Sequence, residues 1–83
     1  MNILYFAWVR EQIGVDQEQI DPPATITGVA GLIGSLAGRS SGHATAFADP
    51  SRLRAAVDQR FVPLDAPILG AQEIALFPPV TGG

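Results

Sequence analysis

Eighty-three residues, 47% of them apolar and only 16% charged, suit one small globular domain that buries roughly 60% of its unfolded surface, too little for a deep private active site. No cysteine and a single histidine, His43, exclude a disulfide framework and make a metal site improbable on composition. The net charge is −3, and the five cations Arg10, Arg39, Arg52, Arg54 and Arg60 are scattered among acidic residues, a pattern that does not suit nucleic acid. With no lysine the chain offers no ε-amine for Schiff-base chemistry or for accepting an isopeptide bond.

Residues 2–9, Asn2-Ile3-Leu4-Tyr5-Phe6-Ala7-Trp8-Val9, form an almost unbroken apolar run with the composition of a strand covered on both faces. It is expected to be the central strand. Alternation puts Ile3, Tyr5, Ala7 and Val9 on one face and Leu4, Phe6 and Trp8 on the other. No basic n-region or cleavage site accompanies this run, and Arg10 and Glu11 interrupt it, so neither a signal peptide nor a membrane segment is expected and the expected location is the cytoplasm. Residues 10–15 read as a turn hinged on Gly14, and residues 16–20 alternate like a short edge strand, which would complete a hairpin. Asp21-Pro22-Pro23 ends it, because neither proline can donate to a ladder.

Residues 25–38 repeat Ile26, Val29, Ala30, Ile33, Leu36 and Ala37 at helical spacing, with Thr25 or Thr27 available as N-cap. This predicts one amphipathic helix. Gly28, Gly31 and Gly34 lie within it and each costs about 1 kcal/mol relative to alanine, so tertiary packing has to hold the helix together. Their spacing lacks the dinucleotide fingerprint and no Walker lysine follows, so nucleotide binding is not expected. Residues 39–43 read as a polar loop with His43 in solvent, and no catalytic role is expected of it, since there is no cysteine and Ser40 and Ser41 sit in no recognisable nucleophile context. Asp49-Pro50 marks a turn. Leu53, Ala55 and Val57 alternate as a strand, and a turn at residues 58–60 leads into Phe61-Val62 as a second hairpin. After a loop over residues 63–70, residues 73–77 form the closing strand, with Ile74 and Leu76 on one face and Ala75 and Phe77 on the other.

Strand, strand, helix, strand, short strand, strand is the order of an α+β, β-grasp arrangement. It predicts a mixed sheet of about five strands, the first and last side by side, with one main helix across one face. The opposite face then has to hold Leu4, Phe6 or Trp8, together with Phe61 and Phe77. An aromatic patch facing water marks a docking site; the alternative is partial cover by the chain's own loops. Residues 1–77 read as the folded domain and residues 78–83 as an extended tail. Pro78 and Pro79 fix φ near −65°, so the tail could reach on the order of 20 Å. Gly82 and Gly83 have no side chain, so a narrow channel could hold their backbone closely, although chain ends are also where disorder concentrates.

A β-grasp order ending in Gly-Gly resembles the ubiquitin-like proteins. The string Phe77-Pro78-Pro79-Val80-Thr81-Gly82-Gly83 resembles the tail of the molybdopterin synthase small subunits, a family of ubiquitin-like sulfur carriers. Phe6-Ala7-x-Val9-Arg10-Glu11 followed by Gly14, and Ala55-Ala56-Val57-Asp58-Gln59, resemble that family's first strand and turn and its third strand, where asparagine is more usual than Asp58. The glycine-rich helix and the missing lysines depart from typical members. The resemblance implies a carrier that is no enzyme on its own and binds no cofactor itself. Gly83 would be adenylated by an E1-like enzyme using ATP, converted to a thiocarboxylate, and would donate sulfur to a pterin precursor held by the large subunit, where the dithiolene would be built, in a heterotetramer. Pro78, Pro79, Val80, Thr81 and Gly82 would be the inserted tail, and Phe6, Phe61 and Phe77 the interface presented in turn to the two partners. A related carrier for thiamine, tungsten cofactor or tRNA thiolation, or a protein modifier, is the alternative reading; the Phe-Pro-Pro-Val-Thr-Gly-Gly string favours the first.

Overall fold

The apolar run at the start of the chain divides into two elements. The structure, a computed structural model, describes residues 1–79. In it β1 (Asn2–Tyr5) is followed at once by α1 (Ala7–Ile13). The break lies at Ala7, whose φ of 54° takes the backbone out of the extended region. The Phe6 carbonyl then accepts from the N–H groups of Val9 (3.2 Å) and Arg10 (3.4 Å) to open the helix. Gly14 closes it at φ 95°, donating to the Arg10 carbonyl at 2.8 Å. The expected strand over residues 2–9 is therefore half strand and half helix, because a short apolar run has no period that separates the two. Trp8 consequently leaves the sheet. It packs half-buried against the core from α1, with the Arg52 guanidinium 5.1 Å from its ring centroid.

Five strands form one sheet in the order β2-β1-β5-β3-β4, with β2 at Gln17–Gln19, β3 at Arg54–Val57, β4 at Arg60–Val62 and β5 at Glu73–Phe77. First and last strands pair in parallel, Ile3 opposite Ile74 and Tyr5 opposite Leu76, as the element order predicted. The middle strand is β5 rather than β1, since β3 pairs with its free side; accordingly Ile74, Ala75 and Leu76 are all buried. Two residues with positive φ, Asp58 (48°) and Gln59 (71°), join β3 to β4, the tight turn whose twist suits a hairpin. Asp58 also ties that turn to β5: its Oδ1 accepts from the N–H groups of Gln72 and Glu73, both at 3.0 Å.

The main helix, α2 (Val29–Leu36), buries Val29, Leu32, Ile33 and Leu36 against the sheet. It is shorter than the expected residues 25–38, and neither threonine caps it. Its first N–H groups, of Val29 and Ala30, are taken by the carbonyls of Ala66 (3.0 Å) and Leu64 (2.9 Å) on the crossing loop. Gly28 permits that approach, since a Cβ there would lie 3.2 Å from the Ala66 oxygen. Gly34 has no such reason: it is exposed, and a Cβ on it would meet nothing within 4 Å. Gly34→Ala is expected to stabilise the fold by about 1 kcal/mol and to raise the unfolding midpoint by about 4–8 °C, measurable by circular dichroism on heating.

A further helix, α3 (Ser41–Ala46), begins within the residues 39–43 read from the sequence as loop. Ser40 is its N-cap, accepting from the His43 N–H at 3.1 Å. Gly42 lets it lie against α1, where any Cβ would collide with the Gln12 carbonyl oxygen. The core sits between the sheet and the helices, with Ile3, Tyr5, Val9, Leu32, Leu53 and Leu76 almost fully buried.

Candidate functional site: the apolar sheet face and the tail exit

Strand register builds this site. Leu4 pairs with Ala75, Ala75 with Ala56, and Ala56 with Phe61. Paired residues point to one face, so these four form a row across the sheet on the side away from α2. Two alanines in the middle leave a trough between the larger Leu4 and Phe61. Phe6 and Phe77 complete its walls, and Pro78 and Pro79 lie along it, enclosing a groove of about 540 Å³. The Phe61 and Phe77 rings pack 5.7 Å apart at 53°, an arrangement close to the tilted geometry that aromatic pairs favour. Phe61 is nonetheless 82% exposed and Phe6 46%. Apolar side chains so placed stand on a sheet whose other face is the core.

The three phenylalanines expected to form an interface are thus brought to one groove. Of the expected tail, Pro78 and Pro79 are described and leave from that groove; Val80, Thr81, Gly82 and Gly83 lie outside the described residues. Trp8, one of three candidates for this face, is not on it. The alanine floor went unread in the sequence, since alanine carries no signal of its own until register places two of them side by side. Ala7, at the β1–α1 junction, also lines the groove, and its positive φ turns the chain immediately after Phe6.

The titratable groups gather elsewhere. His43, expected in solvent, is only 5% exposed. Its Nε2 lies 2.6 Å from Glu18 Oε1 and its Nδ1 2.7 Å from the Ser40 hydroxyl. Tyr5 donates its hydroxyl to the same Glu18 oxygen at 2.8 Å, and Arg39 donates to Oε2 at 3.3 Å. Burial disfavours the Glu18 anion, but hydrogen bonds from His43 and Tyr5, with the charges of His43 and Arg39, outweigh it and hold the carboxyl below its ordinary value. Burial, reinforced by Glu18, pushes the Tyr5 phenol well above its usual range. Among the described residues no buried side-chain polar atom is left unpaired. The cluster ties β1, β2 and α3 together and opens on no groove residue, so it is a structural clamp. Among the described residues there is also no group of three or more His, Asp or Glu able to hold a metal, and no helix long and apolar enough to cross a membrane.

The topology is that of the ubiquitin-like β-grasp, and the sequence comparisons agree. The ThiS family profile matches residues 3–83. The chain belongs to the ThiS family. It is 40% identical over 83 residues to the molybdopterin synthase sulfur carrier subunit of Escherichia coli (strain K12), covering all of this chain and 99% of that protein. It is likewise 40% identical over 84 residues to the protein of the same name from Haemophilus influenzae, covering 100% and 99%. In structure it is similar to SAMP1 from Haloferax volcanii, with a TM-score of 0.72 over 100% of this chain and 98% of that one; at 23% identity this likeness speaks for the fold. The groove of this ThiS-family chain is built mainly from apolar side chains, with Gln59 and Glu73 also in its lining, and among the described residues it offers no nucleophile beside a base. It can dock a partner; any chemistry has to come with the chain's own end or with that partner.

Proposed function

We propose that this ThiS-family chain is the sulfur-carrier small subunit of molybdopterin synthase. The observation that carries this reading is the junction of the phenylalanine groove with the Pro78-Pro79 exit, in a chain that aligns end to end with carriers of that name. Docking through Phe6, Phe61 and Phe77 would direct residues 78–83 into a partner's channel, where glycines at positions 82 and 83 admit close backbone approach. The folded domain, residues 1–77, is the handle, and the tail is the working part.

The chemistry follows from the terminal carboxyl group. An α-carboxylate has a pKa near 3.5 and is anionic at neutral pH, able to attack the α-phosphate of ATP but a poor electrophile itself. An E1-like enzyme joins it to AMP with loss of pyrophosphate. A sulfur nucleophile then attacks the acyl carbon and expels AMP, leaving a thiocarboxylate on Gly83. That sulfur attacks a carbon of the pterin precursor in the pocket supplied by the large subunit, displacing an oxygen substituent of that carbon and forming a thioester. Water then cleaves the acyl–sulfur bond, which leaves the sulfur on the pterin and returns the carboxylate. The working assembly is a heterotetramer of two small and two large subunits in the cytoplasm.

Intact mass spectrometry tests the reading. After incubation with ATP, the activating enzyme and a sulfur donor, the chain is expected to gain the mass difference between a sulfur and an oxygen atom. No gain with an enzyme that loads another carrier would overturn it.

A further inference from the structure

The apolar face carries one cation beside the tail exit. Arg54 pairs with Phe77, so the two share a face, and it lines a recess of about 290 Å³ with Ala55, Phe61, Val62 and Phe77. Phe61 and Phe77 also wall the main groove, which makes the recess continuous with it. The guanidinium is held from behind: Nη1 donates to the Leu53 carbonyl at 2.8 Å and to the Ser51 carbonyl at 3.3 Å. Among the described residues it has no salt-bridge partner, and its Nε and Nη2 have no hydrogen-bond partner. At the other end of β5, Glu73 lines the groove and also lacks a salt bridge among the described residues. Phe77 lies four positions further along the strand, about 13 Å away.

A partner that covers Phe61 and Phe77 must also take water from Arg54. Desolvating an unpaired guanidinium costs several kcal/mol unless a carboxylate meets it. A guanidinium already fixed by two carbonyls meets a carboxylate fork with little further loss of freedom. The chain as a whole is anionic, at −3, so this local cation is where an acidic group can approach.

We propose that Arg54 is a specificity-determining residue of the docking face and that it receives a glutamate or aspartate side chain of the large subunit beside the Phe61 anchor. This rests on the sulfur-carrier reading. Arg54 fixes which way the partner lies along β5, with Glu73 excluding the reversed orientation by repulsion.

Calorimetric titration of the full-length chain with the purified large subunit of the same organism tests it. Arg54→Glu is expected to weaken binding by at least about thirtyfold, the effect of breaking and reversing a desolvated charge pair. Arg54→Lys, which keeps the charge but not the fork, is expected to stay within about tenfold of the parent. Phe61→Ala is measured in parallel, with thermal unfolding confirming that each variant folds. Unchanged affinity for Phe61→Ala would reject the docking face itself. Weakened binding for Phe61→Ala with unchanged binding for Arg54→Glu would overturn the role of Arg54 and leave the face standing. If sedimentation instead shows a dimer of the chain that Arg54→Glu dissociates, the recess is occupied by a second copy and the proposal fails.

Discussion

Deleting Gly83 is expected to abolish both sulfur loading and sulfur transfer while leaving the unfolding temperature unchanged. Shortening the chain by one residue withdraws its terminal carboxylate by about 3.5 Å, and a reacting pair has to come within about 3–3.5 Å in a defined orientation. Such a displacement costs at least about a hundredfold in rate even when the groups remain present. In the proposed mechanism the docking groove fixes the tail's origin, so the tail cannot slide forward to compensate. Stability should not follow, because the described core cluster contains no residue beyond Leu76. Intact mass and dithiolene formation with the large subunit measure the first expectation, and thermal unfolding the second. Sulfur transfer by the shortened chain would move the chemistry away from the chain end.

Glu18→Ala should have the largest effect on the fold. It removes the acceptor shared by Tyr5 and His43 and strands two buried polar groups, at 1% and 5% exposure. Breaking a buried, hydrogen-bonded charge network costs about 3–5 kcal/mol; because the Glu18 side chain is 19% exposed, about 2–3 kcal/mol is expected. The pH dependence has a definite sign. Glu18 has a folded pKa below its ordinary 4.5, so its contribution is present above pH 4.5 and is lost as pH falls through the folded value. Tyr5 is shifted upward from 10.0, so its contribution is present below that pH and is lost as pH rises through the folded value. Urea unfolding across pH should show the parent chain losing stability at both limbs and Glu18→Ala losing less at the acid one. Parallel acid limbs would mean that other carboxylates govern acid unfolding.

His43 shows why this network escaped a reading of the sequence. In the run Arg39-Ser40-Ser41-Gly42-His43 nothing marks a helix: the residues are polar or small and have no apolar period. Helix α3 exists because Ser40 caps it, Gly42 lets it touch α1, and Glu18, twenty-five residues away, accepts from its histidine. Each of these is a tertiary event. Residues 2–9 failed in the opposite way, with a strong signal that two structures share; Ala7's positive φ, which no local preference demands, decided between them. The main helix and the second hairpin were legible because their apolar positions recur at 3.6 and 2 residues, and those periods survive whatever the surroundings.

The site divides along the same line. Composition by itself determined that this chain has no thiol and no lysine with which to do chemistry, and the sequence by itself displayed the Phe-Pro-Pro-Val-Thr-Gly-Gly end. Strand order and register, which depend on long-range pairing, decided the rest. They placed β5 in the middle, set Ala75 and Ala56 side by side as a floor, brought Phe6 and Phe61 to the base of the tail, and put Arg54 opposite Phe77. A side chain's type is written in one residue, but its neighbour across a sheet is set by the energy of the whole fold.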